Sequence, residues 1–104
     1  MARYDFFAHP DATERKHIPF LLAVQNSYLD LIETTVVIPL CEPGSLPTSV
    51  PDLNPFLNVL GQDLVLNTAA LGPVPNSVLR RPLGNLSADQ NSIQTALDTL
   101  FGGY

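Results

Sequence analysis

Ten prolines in 104 residues limit this chain more than any other feature. An interior proline removes a helical hydrogen bond and clashes with the preceding turn. Spread along so short a chain, they exclude an all-helical bundle. Pro43, Pro47, Pro51 and Pro55 recur every fourth residue, which excludes regular helix there. Extended, irregular chain with at most a short edge strand is expected across that segment. No P-x-x-P core occurs in it, so it reads as a stiffened connector rather than a motif for a proline-binding partner.

The segments between prolines read as strands. Ala2–Phe7 has imperfect alternation and strand-favouring aromatics. A polar stretch, Ala8–His17, follows with a turn signal at Pro10-Asp11 and reads as a long, mobile hairpin loop. Pro19–Gln25 is apolar at successive positions, so both of its faces should be covered. Thr34–Leu40 is rich in β-branched residues. Pro39 cannot donate to a ladder and is expected at an edge, a bulge or the strand end. Phe56–Leu60 and Leu64–Thr68, separated by Gly61-Gln62-Asp63, read as a hairpin. Val74–Leu79 reads as a further short strand ended by Arg80-Arg81-Pro82.

The period then changes. Ser87 reads as an N-cap, with Gln90 three residues later completing a capping box. Asp89 lies in the first turn, where a negative charge suits the helix dipole. Ile93, Ala96, Leu97, Leu100 and Phe101 fall on one helical stripe, and Gly102-Gly103 end it. A helix of this length is marginal alone. Burying its four large apolar side chains would contribute at most roughly 6–12 kcal/mol. The helix should therefore dock, on the sheet or on a second subunit. The expectation is a single domain over residues 1–104, mainly β with one C-terminal helix.

Charged residues are only 14% of the chain, which favours self-association, and ten acidic against five basic residues give a net charge of −5. That balance argues against direct binding to DNA or RNA, which needs a basic stripe. The single cysteine, Cys41, permits no internal disulfide and fits a reducing compartment. Met1–Pro10 carries Arg3, Asp5 and His9 and does not read as a secretory signal. No stretch approaches the roughly 20 apolar residues of a membrane span. The reading is a soluble cytoplasmic protein.

Catalytic constellations are sparse. His9, Asp11, Glu14 and His17 are the candidate metal ligands, but they share a loop rather than a rigid element, and solvation is the simpler reading. Cys41 reads as a small apolar filler. Ser77 lacks a nucleophile-elbow context, and no glycine-rich phosphate loop precedes the helix. Arg15-Lys16 and Arg80-Arg81 are the basic pairs, which in an acidic chain read as solvated ends of strands and loops. No cofactor is implied. Phe101-Gly102-Gly103-Tyr104 remains: an aromatic residue hinged on two glycines can anchor a partner, or fold back on the body or across a dimer seam.

Taken in order, these fragments resemble the CcdB family, the toxin half of a plasmid-addiction toxin–antitoxin pair. The resemblance runs through Val24-Gln25, Val37-Ile38-Pro39-Leu40, the hairpin from Pro55 to Thr68, Val74-Pro75, Ser77-Val78, Leu86-Ser87, Ile93, Ala96 and Phe101-Gly102-Gly103. It implies an SH3-like antiparallel β-barrel with a C-terminal helix, shared with MazF-type toxins, and a homodimer. It implies a toxin without chemistry of its own, which binds the DNA gyrase A subunit and traps the cleaved-DNA complex. It also implies neutralisation by a CcdA-like antitoxin. Target contact would fall on Gly102, Gly103 and Tyr104, supported by Phe101 and Leu100. The family's helix ends Phe-Trp-Gly-Ile; here Gly102 stands at the tryptophan position and Tyr104 at the terminal aliphatic one. Two other readings stay open: a MazF-like endoribonuclease using Arg80 or Arg81 beside a carboxylate, and a homologue that no longer poisons gyrase.

Overall fold

The computed structural model of the protein describes residues 1–29 and 31–103. Its strands are β1 (Asp5–Ala8), β2 (Phe20–Ala23), β3 (Thr34–Cys41), β4 (Phe56–Val59), β5 (Gln62–Leu66), β6 (Gly72–Pro75) and β7 (Gly84–Asn85), followed by helix α1 (Gln90–Phe101). They form one antiparallel sheet in the order β4-β5-β3-β2-β1-β7, with β6 also paired to β3. The sheet curls into a half-barrel and α1 closes it, which is the α+β architecture expected.

Two apolar layers hold the sheet. The larger gathers Phe6, Phe20, Leu22, Ile38, Leu40, Leu64 and Leu66 with Ile93 and Ala96 of α1. The smaller gathers Phe7, Leu21, Ala23, Val37 and Leu79. Because side chains alternate faces along a strand, β2 sends Phe20 and Leu22 to one layer and Leu21 and Ala23 to the other. Its continuous apolar run is thereby explained. The Phe6 and Phe20 rings meet edge to face at 5.4 Å between centroids.

Pro39 sits inside the sheet, yet costs no ladder bond. On one side β3 pairs β2 throughout Phe20–Ala23. On its other side β6 pairs Thr34 to Val37, and β5 pairs Leu40 and Cys41. Pro39 falls in the gap between those two partners, and its carbonyl accepts the Asn67 N–H at 3.0 Å on that side. The missing N–H therefore points where no partner strand runs.

Several boundaries differ from the sequence reading. β1 starts at Asp5 because Tyr4 has φ 73°, a left-handed conformation that bends the chain. The loop before β2 is built rather than loose: Glu14–Lys16 forms a 3₁₀ turn, and the Arg15 Nε–H donates to the His9 carbonyl at 2.8 Å. The hairpin turn has two residues, Leu60-Gly61, with φ 51° and 83°. Two positive values suit a tight hairpin, and they leave Gln62 and Asp63 in β5 opposite Val59 and Asn58. β5 ends at Leu66, and Thr68 opens a 3₁₀ turn. β6 ends at Pro75, and Asn76–Val78 is a 3₁₀ turn. The proline segment forms no strand. Its end is pinned by buried Asn54, whose Nδ2 donates to the Leu66 carbonyl at 3.0 Å, and by the Thr68 hydroxyl donating to the Leu53 carbonyl at 2.6 Å.

The capping box does not form. Ser87–Asp89 is a 3₁₀ turn and α1 begins at Gln90. Asn85 supplies the entry contact instead: its Oδ1 accepts the Ser87 N–H at 2.8 Å. Its Nδ2 also donates to the Arg3 carbonyl and to Asp5 Oδ1, tying the helix entry to β1.

Candidate target-binding interface

α1 carries the residues expected to meet a target, and it is anchored near its middle. Ile93 and Ala96 are fully buried against the curled sheet. Gln94 links outward: its Oε1 accepts from Arg3 at 3.3 Å, and its Nε2 donates to Asp98 Oδ1 at 3.0 Å. Arg3 lies 5.0 Å over the Tyr4 ring and donates its Nε–H to the Val24 carbonyl at 3.1 Å. Arg3 N–H also reaches Ser27 Oγ at 2.8 Å. One side chain and its backbone thus connect the helix, β1 and the turn after β2.

The last helical turn has a different environment. Leu97 and Leu100 are half-buried. Phe101 is 68% exposed within one chain, so of the two docking places expected for the stripe, the chain's own sheet does not cover this ring. Phe101 belongs to neither apolar layer. Gly102 then turns left-handed at φ 68° with its N–H on the Asp98 carbonyl. That conformation favours glycine. The Gly103 N–H reaches the same carbonyl at 2.9 Å. Both glycines are exposed. Leu100, Phe101, Gly102 and Gly103 thus form one continuous helix end. Tyr104 lies outside the described residues.

Sequence reasoning missed a second exposed apolar set on the turn tied to Arg3. Tyr28 is 87% exposed, Leu31 fully exposed and Ile32 about half exposed. The available signal was an apolar cluster lacking any strand or helix period, immediately before β3.

Elsewhere the chemistry is quiet. Among the described residues no group of three His, Cys, Asp or Glu side chains could hold a metal ion. Cys41 is buried, and that burial pushes its thiol up, with hydrogen bonds to Asn67 and Ser45 opposing part of the shift. A thiol held protonated is a poor nucleophile. Arg80 and Arg81 are exposed and share a groove with His9 and Arg15. No carboxylate is among the residues that line that groove. No helix among the described residues is long and apolar enough to cross a membrane.

A family model described as CcdB protein matches residues 3–103, nearly the whole chain. The chain belongs to the CcdB family. It is accordingly a toxin of a toxin–antitoxin system, from a family whose members act by binding rather than by catalysis. Among curated proteins no sequence matches it significantly. For a CcdB-family toxin the useful surface is one that another protein can cover. The helix end, with an exposed aromatic ring beside a rigid cap, has that character.

Proposed function

We propose that this toxin is a single-domain, homodimeric poison of DNA gyrase, acting in the cytoplasm and neutralised by a CcdA-like antitoxin. It would engage the gyrase A subunit through the end of α1. The observation that carries the reading is Phe101: a large aromatic ring left 68% exposed on a helix end whose exit is fixed by a left-handed glycine. Aromatic rings of this kind anchor protein interfaces. Family membership over residues 3–103 supports the same target class.

In this mechanism the toxin contributes shape and no chemistry. The dimer presents two helix ends, and binding to the cleaved gyrase–DNA complex holds the enzyme where religation fails. Leu100 and Phe101 supply apolar contact. Gly102 and Gly103 let the backbone approach closely, and Tyr104 completes the contact. The family's tryptophan is absent, since Gly102 takes its place. A tryptophan stacked on a desolvated cation contributes about 2 kcal/mol, which corresponds to roughly 30-fold in affinity. The toxin should therefore bind a standard gyrase more weakly, or suit a gyrase whose site matches Tyr104. A disordered antitoxin segment would fold as it covers the dimer.

The test is a cleavage assay with purified toxin, gyrase and supercoiled DNA. Accumulation of linear DNA is expected, and deletion of Gly102–Tyr104 should remove it while the chain still folds and dimerises. A truncated chain that stays fully toxic would refute the contact assignment. RNA cleavage by the toxin alone would replace gyrase poisoning with ribonuclease activity, and normal growth of cells expressing it without antitoxin would indicate lost poisoning.

A further inference from the structure

A second binding surface lies at the margin of the sheet. β4 ends the strand order and is paired on one side, to β5. The Leu66 N–H donates to the Pro55 carbonyl at 3.1 Å. The bonded pairs of this ladder are therefore Pro55 with Leu66, Leu57 with Leu64 and Val59 with Gln62. Bonded and non-bonded pairs alternate along an antiparallel ladder, so the N–H and C=O groups of Phe56 and Asn58 point away from β5. Among the described residues those groups have no hydrogen-bond partner.

The other margins of the sheet are blocked. β7 has two residues, and β6 carries Pro73 and Pro75. Short strands and prolines stop a foreign strand from adding. β4 has neither device: its four residues, Phe56–Val59, include no proline and no charge. Leu57 and Val59 are buried in the larger layer. Phe56 and Leu60 are each 65% exposed, and Asn58 between them is exposed as well. An unblocked edge with apolar side chains along it is a template for strand addition.

Charge selects the occupant. Residues 18–79 contain no Lys, Arg or His, so every charged side chain in that long segment is acidic. Asp63 stands opposite Asn58 in the register, and its Oδ1 accepts the Asn58 Nδ2–H at 3.1 Å. It brings an exposed carboxylate next to the open edge. A second copy would bring the same acidic surface and meet repulsion, whereas a cationic chain is attracted. We propose that β4 accepts an extended basic segment of a partner protein. The segment adds as a strand to Phe56 and Asn58, lays apolar side chains against Phe56 and Leu60, and sets a lysine or arginine on Asp63. No residue of α1 takes part, so the surface does not depend on the proposed gyrase contact.

The test uses the full chain and a fluorescein-labelled peptide of sequence Lys-Val-Thr-Lys-Thr-Val-Lys, followed by fluorescence anisotropy. Saturable binding is expected, falling as salt rises. N-methylation of every second peptide amide should abolish binding for one alternating set and spare it for the other, because a strand turns only alternate amides toward its neighbour. The peptide Glu-Val-Thr-Glu-Thr-Val-Glu should bind at least about tenfold more weakly. Asn58→Pro removes an outward donor and no backbone ladder bond, and should weaken binding at least about tenfold. Phe56→Ser and Asp63→Asn, both at exposed positions, should each weaken it as well, and urea unfolding confirms that the variants are folded. No binding of the basic peptide, equal binding of the acidic one, indifference to N-methylation, or indifference to Phe56→Ser would each overturn the proposal. So would self-association of the chain that Asn58→Pro abolishes, because a second copy would then hold the edge.

Discussion

The two halves of α1 carry the same apolar stripe and meet different fates. Ile93 and Ala96 are sealed against the curled sheet, whereas Phe101, eight residues after Ile93, is 68% exposed. A helical period states which face is apolar and leaves open what covers it. Here the larger layer takes in Ile93 and Ala96, and Phe101 stays outside it. The first half therefore belongs to folding, and the last turn is available to a partner. The contrast is sharpest at Ile93. Ile93→Ala should destabilise the chain by about 2–5 kcal/mol, because the void opens in the larger layer with no space to collapse. Urea unfolding measures this. A loss below about 1 kcal/mol would mean that α1 is not clamped there and that its halves are alike.

The clamp depends on the strands beneath it. Gly84 in β7 lies directly on the Phe6 ring: a Cβ there would stand 2.7 Å from Phe6 Cε1. Phe6 belongs to the layer that receives Ile93. Gly84→Ala should cost about 1–3 kcal/mol through overpacking. Adding Phe6→Leu should recover part of that loss, since the smaller side chain vacates the contested space. Without such recovery in thermal unfolding, the cost would lie in the β7 backbone and not in the layer under the helix.

How far the sequence alone reaches differs between these same regions. The strands β2 and β3, the hairpin and the helix were legible because their side-chain periods are carried by residues near in sequence. β7 was not legible: a two-residue strand has no period, and its pairing with Asp5 and Phe6 is a long-range event. The start of α1 was misplaced because Ser87 fits a capping rule that Asn85 satisfies instead by reaching back to β1. The Leu60-Gly61 turn was hidden because leucine seldom adopts a positive φ. At the candidate interface, the glycine stop was readable from composition. The exposure of Phe101 was not, since it depends on what the fold brings against that turn. The basic groove was read as two scattered pairs for the same reason, because only the fold brings Arg15 to Arg80 and Arg81.

The exposed half can be perturbed without touching the core. Gly102 ends α1 at φ 68° with open space around it, so Gly102→Ala adds backbone strain and little else. The expected cost is about 1 kcal/mol, and it should stay local. Amide hydrogen exchange should show the Gly103 N–H losing protection while the Ile93 N–H keeps its own. Equal loss at both would show that the helix unfolds as one unit and that the comparison has no energetic meaning.

The smallest effect on stability is expected where the effect on function should be large. Phe101→Ala removes a ring that one chain leaves mostly in water. At low protein concentration it should shift the unfolding free energy by no more than about 0.5 kcal/mol. If the ring is buried between two copies, the wild-type midpoint in urea should rise with protein concentration, and the variant's rise should be smaller, because only a covered ring couples folding to association. If the ring is instead reserved for the target, both midpoints should rise equally while gyrase-dependent DNA cleavage falls. Measuring the two readouts on the same preparation separates a dimer seam from a target anchor. A large stability loss at low concentration would place Phe101 with Ile93 and erase the distinction between the two halves of the helix.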